Sequence, residues 1–144
     1  MNENNRSFAN IRVGDKATGR KTVMEQDVRQ FAQISGDFNP VHLDAEYAGS
    51  TCFKQRIAHG MLVAGILSAV LGNELPGPGT IYLSQSLNFK APVFLGDTVV
   101  AEVEVVEKLP VTKRLRLKTV CFKPGGRVVL EGEAVVQMEE HAQN

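Results

Sequence analysis

Several things are scarce in this chain of 144 residues, and each scarcity narrows its chemistry. Charge imbalance is missing: Lys plus Arg number 16, Asp plus Glu number 16, and the formal net charge is zero. Nucleic-acid binders and proteins that bind anionic membranes usually carry a basic excess, so neither class is expected. A small basic patch for one phosphorylated ligand is still compatible with that balance. Long apolar runs are missing too, so no membrane-spanning helix is expected. The opening stretch MNENNRSFAN is polar and lacks the apolar core of a signal peptide. Residues 1–10 are therefore expected to form a loose tail, and the cytoplasm is the expected location. Cysteine is limited to Cys52 and Cys121, which match no zinc spacing and no disulfide framework. Cys121 falls in an apolar alternating pattern and reads as core. Cys52 sits in a loop-like stretch near two histidines, but nothing beside it resembles the setting of a thiol nucleophile. Repeats, low-complexity tracts and linkers are absent, so residues 1–144 read as one domain with a sizeable core.

What is present falls into two halves. Residues 17–23 are short and β-prone. A helix is expected over Glu25–Ser35, with Val28, Phe31 and Ala32 on one face and Gly36 as its stop. Asp44 is placed to cap a short helix running to Ala48. The stretch AHGMLVAGILSAVLGNEL, 58–75, is apolar nearly all the way round, as a helix buried on most sides must be. PGPG at 76–79 ends it. From there the period changes to two. TIYLSQSLNF, TVVAEVEVVE, KRLRLKTVCF and RVVLEGEAVVQM read as antiparallel strands with one buried and one wet face. Helices followed by strands imply an α+β domain. The sheet's apolar face needs a cover, and the 58–75 helix is the element apolar enough to supply it. A curved antiparallel sheet wrapped round one long central helix is the hot-dog arrangement.

The chemistry concentrates in SGDFNPVHLD, residues 35–44. Asp37 and His42 flank an Asn-Pro turn, and Pro40 restricts the backbone between them. An acid and an imidazole facing one pocket could hold a water and move its proton. Spacing alone equally fits a plain turn, in which Asp37 accepts loop N–H bonds and His42 packs as a satisfied polar residue. A second feature is RIAHGM, which puts His59 and Gly60 at the start of the buried helix. The first N–H groups of a helix lack internal acceptors and sit at the positive end of its dipole. With no side chain at Gly60, a carbonyl oxygen gaining negative charge could approach them. The plainer alternative is a glycine that only allows helix and sheet to pack. His59 reads as a capping or structural residue.

Taken together, SGDFNPVHLD, AHGML, LNFKAPVFLGDTV and the later GEAVV resemble the MaoC-like hydratase family, in particular its (R)-specific enoyl-CoA hydratases of the polyhydroxyalkanoate type. The likeness covers roughly residues 10–138. It implies a hot-dog subunit that pairs into a homodimer, with any further assembly left open, and a small-molecule acyl-CoA substrate. The implied reaction is reversible addition of water to a trans-2-enoyl thioester, giving a (3R)-3-hydroxyacyl product, with no metal and no redox cofactor. Asp37 and His42 would hold and activate the water, Asn39 would fix the loop or orient that water, and the Gly60 N–H would bind the thioester oxygen. By the same likeness Ser68, Leu71 and Val136 would shape the acyl pocket. Lys54, Arg56 and Lys90 become candidates for the CoA phosphates, against the plainer reading of charges on a solvated face. Other hot-dog chemistries stay in view: an acyl-carrier-protein dehydratase, an acyl-CoA thioesterase, and a non-catalytic acyl-CoA binding module. The two enzymes would usually place an acid on the central helix, and Met61 to Gly72 carries none.

Overall fold

The computed structural model describes residues 6–139. After a 3-10 turn at Phe8–Asn10 the elements are β1 (Lys16–Thr22), α1 (Glu25–Ser35), α2 (Pro40–Leu43), α3 (Ala45–Gly49), α4 (Gly60–Asn73), β2 (Thr80–Gln85), β3 (Asn88–Phe89), β4 (Thr98–Leu109), β5 (Arg114–Phe122) and β6 (Val128–Met138). The six strands form one antiparallel sheet in the order β1-β4-β5-β6-β2, with β3 also paired to β6.

Period-two alternation decides which face is which. In β4, Val99, Ala101, Val103 and Val105 are fully buried, and in β5 Leu115, Leu117 and Cys121 are as well. Their register neighbours carry the same face across the sheet: Ala101 opposes Cys121, Cys121 opposes Leu130, and Leu117 opposes Ala134. Thr119 is the one polar group on this stripe of β5, and its hydroxyl accepts from Gln85 Nε2 at 2.9 Å. The other face is wet and charged. Arg116 bridges Glu107 at 2.7 Å and Glu133 at 3.0 Å.

α4 lies against β1, β4 and β5 and buries Val63, Ala64, Leu67, Val70 and Leu71 into this core. The expected hot-dog arrangement is therefore the observed one, a curved sheet that does not close, packed on one central helix.

Local departures have physical causes. α4 begins at Gly60 rather than at 58 because His59 has an extended ψ of 135°, and the Ala58 N–H before it pairs with Val93 O at 2.7 Å. Residues 80–89 form two strands, not one. The chain breaks at Ser86, which exchanges bonds with the Glu133 backbone, and Ser86 O comes so close to Gly132 that a Cβ there would lie 1.8 Å away. Residues 35–44 are not all loop, since Asn39 caps α2 through Val41 N–H and Pro40 takes its first position, where a missing N–H costs nothing. The expected loose tail needs correcting over residues 6–10. Phe8 is buried, its carbonyl accepts from Lys108 Nζ at 2.8 Å, and the same ammonium sits 4.6 Å from the Phe8 ring centre. Residues 1–5 lie outside the described residues.

Candidate active site

α1 ends at Gly36, whose φ of 79° reverses the chain, and the polar turn follows at once. Ser35 Oγ accepts from the Asp37 N–H at 3.1 Å, and Asp37 Oδ1 accepts from the Asn39 N–H at 3.1 Å. The Asp37 carboxylate is thus held by one oxygen, on an exposed turn, with the second oxygen available to a ligand.

One helical turn further on, His42 is buried to 8% exposure. Its Nδ1 lies 2.8 Å from the Ile57 carbonyl oxygen. A carbonyl can only accept, so Nδ1 carries the proton and the lone pair sits on Nε2. Both halves of the plain-turn reading are therefore real bonds: Asp37 does accept a loop N–H, and His42 is satisfied on one side. Each bond uses only one end of its group, and what remains is one carboxylate oxygen and one basic nitrogen.

His59 completes the cluster. It is 2% exposed, and its ring stacks on His42 with centres 3.9 Å apart and planes 28° apart. Its Nε2 donates to the Asp37 backbone carbonyl at 3.0 Å, and Phe31 packs on it at 4.7 Å between ring centres. Of the expected capping or structural role it is the structural one that is found, because the His59 side chain makes no cap hydrogen bond to α4. Burial holds the His59 imidazole below its usual pKa; the bond to the Asp37 carbonyl opposes that, and neighbouring His42 adds to it.

Donor atoms of Asp37, His42 and His59 all lie within 4.8 Å of one another, which has the composition of a metal site. Its geometry suits one poorly. Rings stacked nearly face to face direct their in-plane lone pairs side by side, whereas a metal needs them to converge. His42 Nδ1 and His59 Nε2 are already engaged with carbonyls.

These residues border a cavity of about 660 Å³. Phe53, Val63, Phe89, Val93 and Leu130 give it apolar walls, and Gly60 brings the first turn of α4 to its edge. A Cβ at position 60 would lie 2.6 Å from Phe89 Cε1, so glycine lets that ring rest over the helix start. The Gly60 N–H, as the first of the helix, has no acceptor within it.

A polar cluster at one end of an apolar cavity, on a hot-dog frame, is matched by sequence. Residues 9–121 match the MaoC like domain family. The chain belongs to that family. It is 52% identical over 131 residues to the (R)-specific enoyl-CoA hydratase of Rhodospirillum rubrum, covering 91% of this chain and 90% of the relative. It is 49% identical to the 3-hydroxybutyryl-CoA dehydratase of Methylorubrum extorquens, covering 91% of this chain and 83% of that one. The solved structure of the (R)-hydratase from A. caviae involved in PHA biosynthesis superposes with a TM-score of 0.87 at 47% identity, covering 90% of this chain and 98% of that chain.

The other residues singled out from sequence are scattered across this MaoC-like domain. Lys90 lines the cavity and lies 3.7 Å from Glu131. Lys54 is exposed beside the lining residue Phe53, with a φ of 66° that few non-glycine residues adopt. Arg56 needs correcting. Its side chain is only 15% exposed, Nε donates to the His42 carbonyl at 2.7 Å and Nη1 pairs with Glu25 at 2.6 Å. The guanidinium faces inward and ties α1 to the His42 backbone; it is not presented to a phosphate in solvent. Ser68 lies exposed on α4, while Leu71 and Val136 are packed in the core, and none of the three lines the cavity. Sequence reasoning missed the stacked His59 and the lining by Phe53, Val63 and Phe89. The only local signal was a histidine directly before the helix glycine.

Proposed function

We propose that this protein is an (R)-specific enoyl-CoA hydratase, adding water reversibly across the double bond of a trans-2-enoyl-CoA to give a (3R)-3-hydroxyacyl-CoA. The observation that carries the reading is the pair of free acceptors, one Asp37 oxygen and His42 Nε2, at the edge of an apolar cavity beside the first turn of α4. A water donating one hydrogen to each presents its lone pair to C3 of a substrate whose thioester oxygen lies at the Gly60 N–H. As the C3–O bond forms, Asp37 takes the proton and the π electrons move to the thioester oxygen as an enolate. The proton on Asp37 then passes to C2 on the same face, which restores the carboxylate and the thioester. His42 orients the water, and Asn39 holds the turn that aims Asp37. An N–H donor placed for an oxyanion is typically worth about 3–4 kcal/mol of barrier. The steps need neither a metal nor a redox cofactor.

The reading extends to recognition and assembly. Lys90 and Lys54 are positioned for the CoA phosphates, one on the cavity wall and one beside it. Edge strand β2 exposes Ile81, Tyr82 and Leu83, which supports pairing with a second copy as a homodimer. No helix among the described residues is long and apolar enough to cross a membrane, and the site we favour is the cytoplasm. Leu71, in the core with Val136, limits chain length only for acyl tails long enough to press on that core, and Ser68 leaves room. Leu71→Val is therefore expected to leave crotonyl-CoA turnover unchanged and to raise turnover of longer esters; an unchanged profile removes the three residues from this role.

The deciding experiment follows loss of conjugated thioester absorbance with crotonyl-CoA and longer trans-2-enoyl-CoA esters, with chiral analysis of the product. A (3R)-hydroxy product supports the reading. Release of free CoA would point to thioester hydrolysis instead, and binding without turnover would point to a non-catalytic module.

A further inference from the structure

Five contacts bind the segment before α4 to the turn that carries Asp37 and His42. Arg56 Nε donates to the His42 carbonyl at 2.7 Å, the Ile57 N–H donates to Val41 O at 3.3 Å, and Ile57 O accepts from His42 Nδ1 at 2.8 Å. The remaining two come from one side chain. His59 Nε2 donates to Asp37 O at 3.0 Å while its ring lies 3.9 Å from that of His42. His59 thus holds both members of the pair, Asp37 by its main-chain carbonyl and His42 by its ring. It is 2% exposed, its Nδ1 is buried with no protein partner, and Phe31 closes its other side at 4.7 Å. Leaving a buried polar atom unpaired costs free energy, so a phenyl ring would be the cheaper filler if packing were all the position required.

We infer that His59 is a positioning residue, which sets the spacing between the Asp37 main chain and the His42 ring while touching no reacting atom itself. The inference rests on the hydratase reading for its effect on turnover, but the two contacts can be broken separately. His59→Phe keeps a ring to stack on His42 and removes the donor to Asp37 O. His59→Gln keeps a donor of similar reach and removes the ring.

The test combines kinetics on crotonyl-CoA with nitrogen-15 spectra of the histidine rings and the Asn39 amide signal, which reports on the Asp37 carboxylate it bonds. In His59→Phe the Asn39 amide shifts while His42 remains in the Nδ1–H tautomer. In His59→Gln the Asn39 amide stays, while the His42 ring signals shift as the stacked ring is lost and His42 keeps the Nδ1–H tautomer set by Ile57 O. In each variant kcat falls roughly ten- to hundredfold, as misplacement by about an ångström can cause, while KM stays within about twofold. The inference is overturned if both variants keep the wild-type signals, or if kcat falls only in proportion to the fraction folded. Should wild-type protein hydrate no enoyl thioester, the hydratase reading fails, and the two signals still decide whether His59 holds the pair.

Discussion

The β4–β5–β6 sheet and the 35–59 segment keep their shapes by different means. Across the sheet, a regular ladder fixes the backbone, and burial of alternate side chains such as Val103, Leu117 and Val136 fixes the face. Any similar apolar set at the same alternation would do much the same. The 35–59 segment has only the short helices α2 and α3. Its shape depends on individual bonds: Ser35 to Asp37, Asn39 to Val41, Arg56 to His42 and Glu25, His59 to Asp37. Redundant burial makes a frame that tolerates change. Single polar bonds make a site whose atoms are placed one at a time, and each placement can be lost to one substitution.

The comparison breaks most clearly at the reacting groups. Asp37→Asn and His42→Ala are expected to lower kcat/KM by about 10²- to 10⁴-fold, the usual range for a general acid–base group. The unfolding midpoint should change little in Asp37→Asn, whose side chain is on an exposed turn, and fall in His42→Ala, which strands the Ile57 carbonyl and costs about 1–3 kcal/mol. Steady-state kinetics beside a thermal melt reads both. The converse change is Leu117→Ala in the sheet. It should cost about 2–5 kcal/mol of stability by leaving a cavity, while turnover per folded molecule stays near wild type. If Leu117→Ala instead removed activity from fully folded protein, frame and site would not be separable in the way drawn here. A smaller effect is expected at Arg56, which ties the 35–59 segment to α1. Arg56→Met should cost about 1–3 kcal/mol by stranding the His42 carbonyl, since half-exposed Glu25 keeps its pair with Arg29 at 2.7 Å. It should leave KM for CoA esters nearly unchanged, and a large rise in KM would restore its phosphate role. The smallest effect concerns the two thiols. Cys52 is exposed, whereas burial pushes the Cys121 thiol up to about 12. A thiol reagent at neutral pH should titrate one cysteine in native protein and the second only after denaturation.

How much was legible in the sequence follows the same division. Strand faces and the all-apolar central helix were readable because alternation and periodicity are local properties of the chain. Strand ends and the start of α4 were less so, because they depend on distant partners such as Val93 O for Ala58 and Glu133 for Ser86. Asp37 and His42 could be nominated from their turn, yet neither the tautomer of His42 nor the stack with His59 has any sequence signature. Arg56 was misassigned for the same reason: Glu25 lies far along the chain, and nothing near Arg56 in sequence shows which way it faces. The three acyl-pocket residues came from resemblance, and resemblance carries no information on which cavity a closed core presents in a single chain.

The bond from His42 Nδ1 to Ile57 O also governs what happens between turnovers. Because Ile57 O holds the His42 proton on Nδ1, the proposed cycle begins and ends with the same tautomer and an ionised Asp37. No ring flip or reprotonation separates one turnover from the next. Such a catalyst stands equally ready for hydration and dehydration, and the ratio of enoyl to hydroxyacyl thioester, not the protein, decides which way the reaction runs.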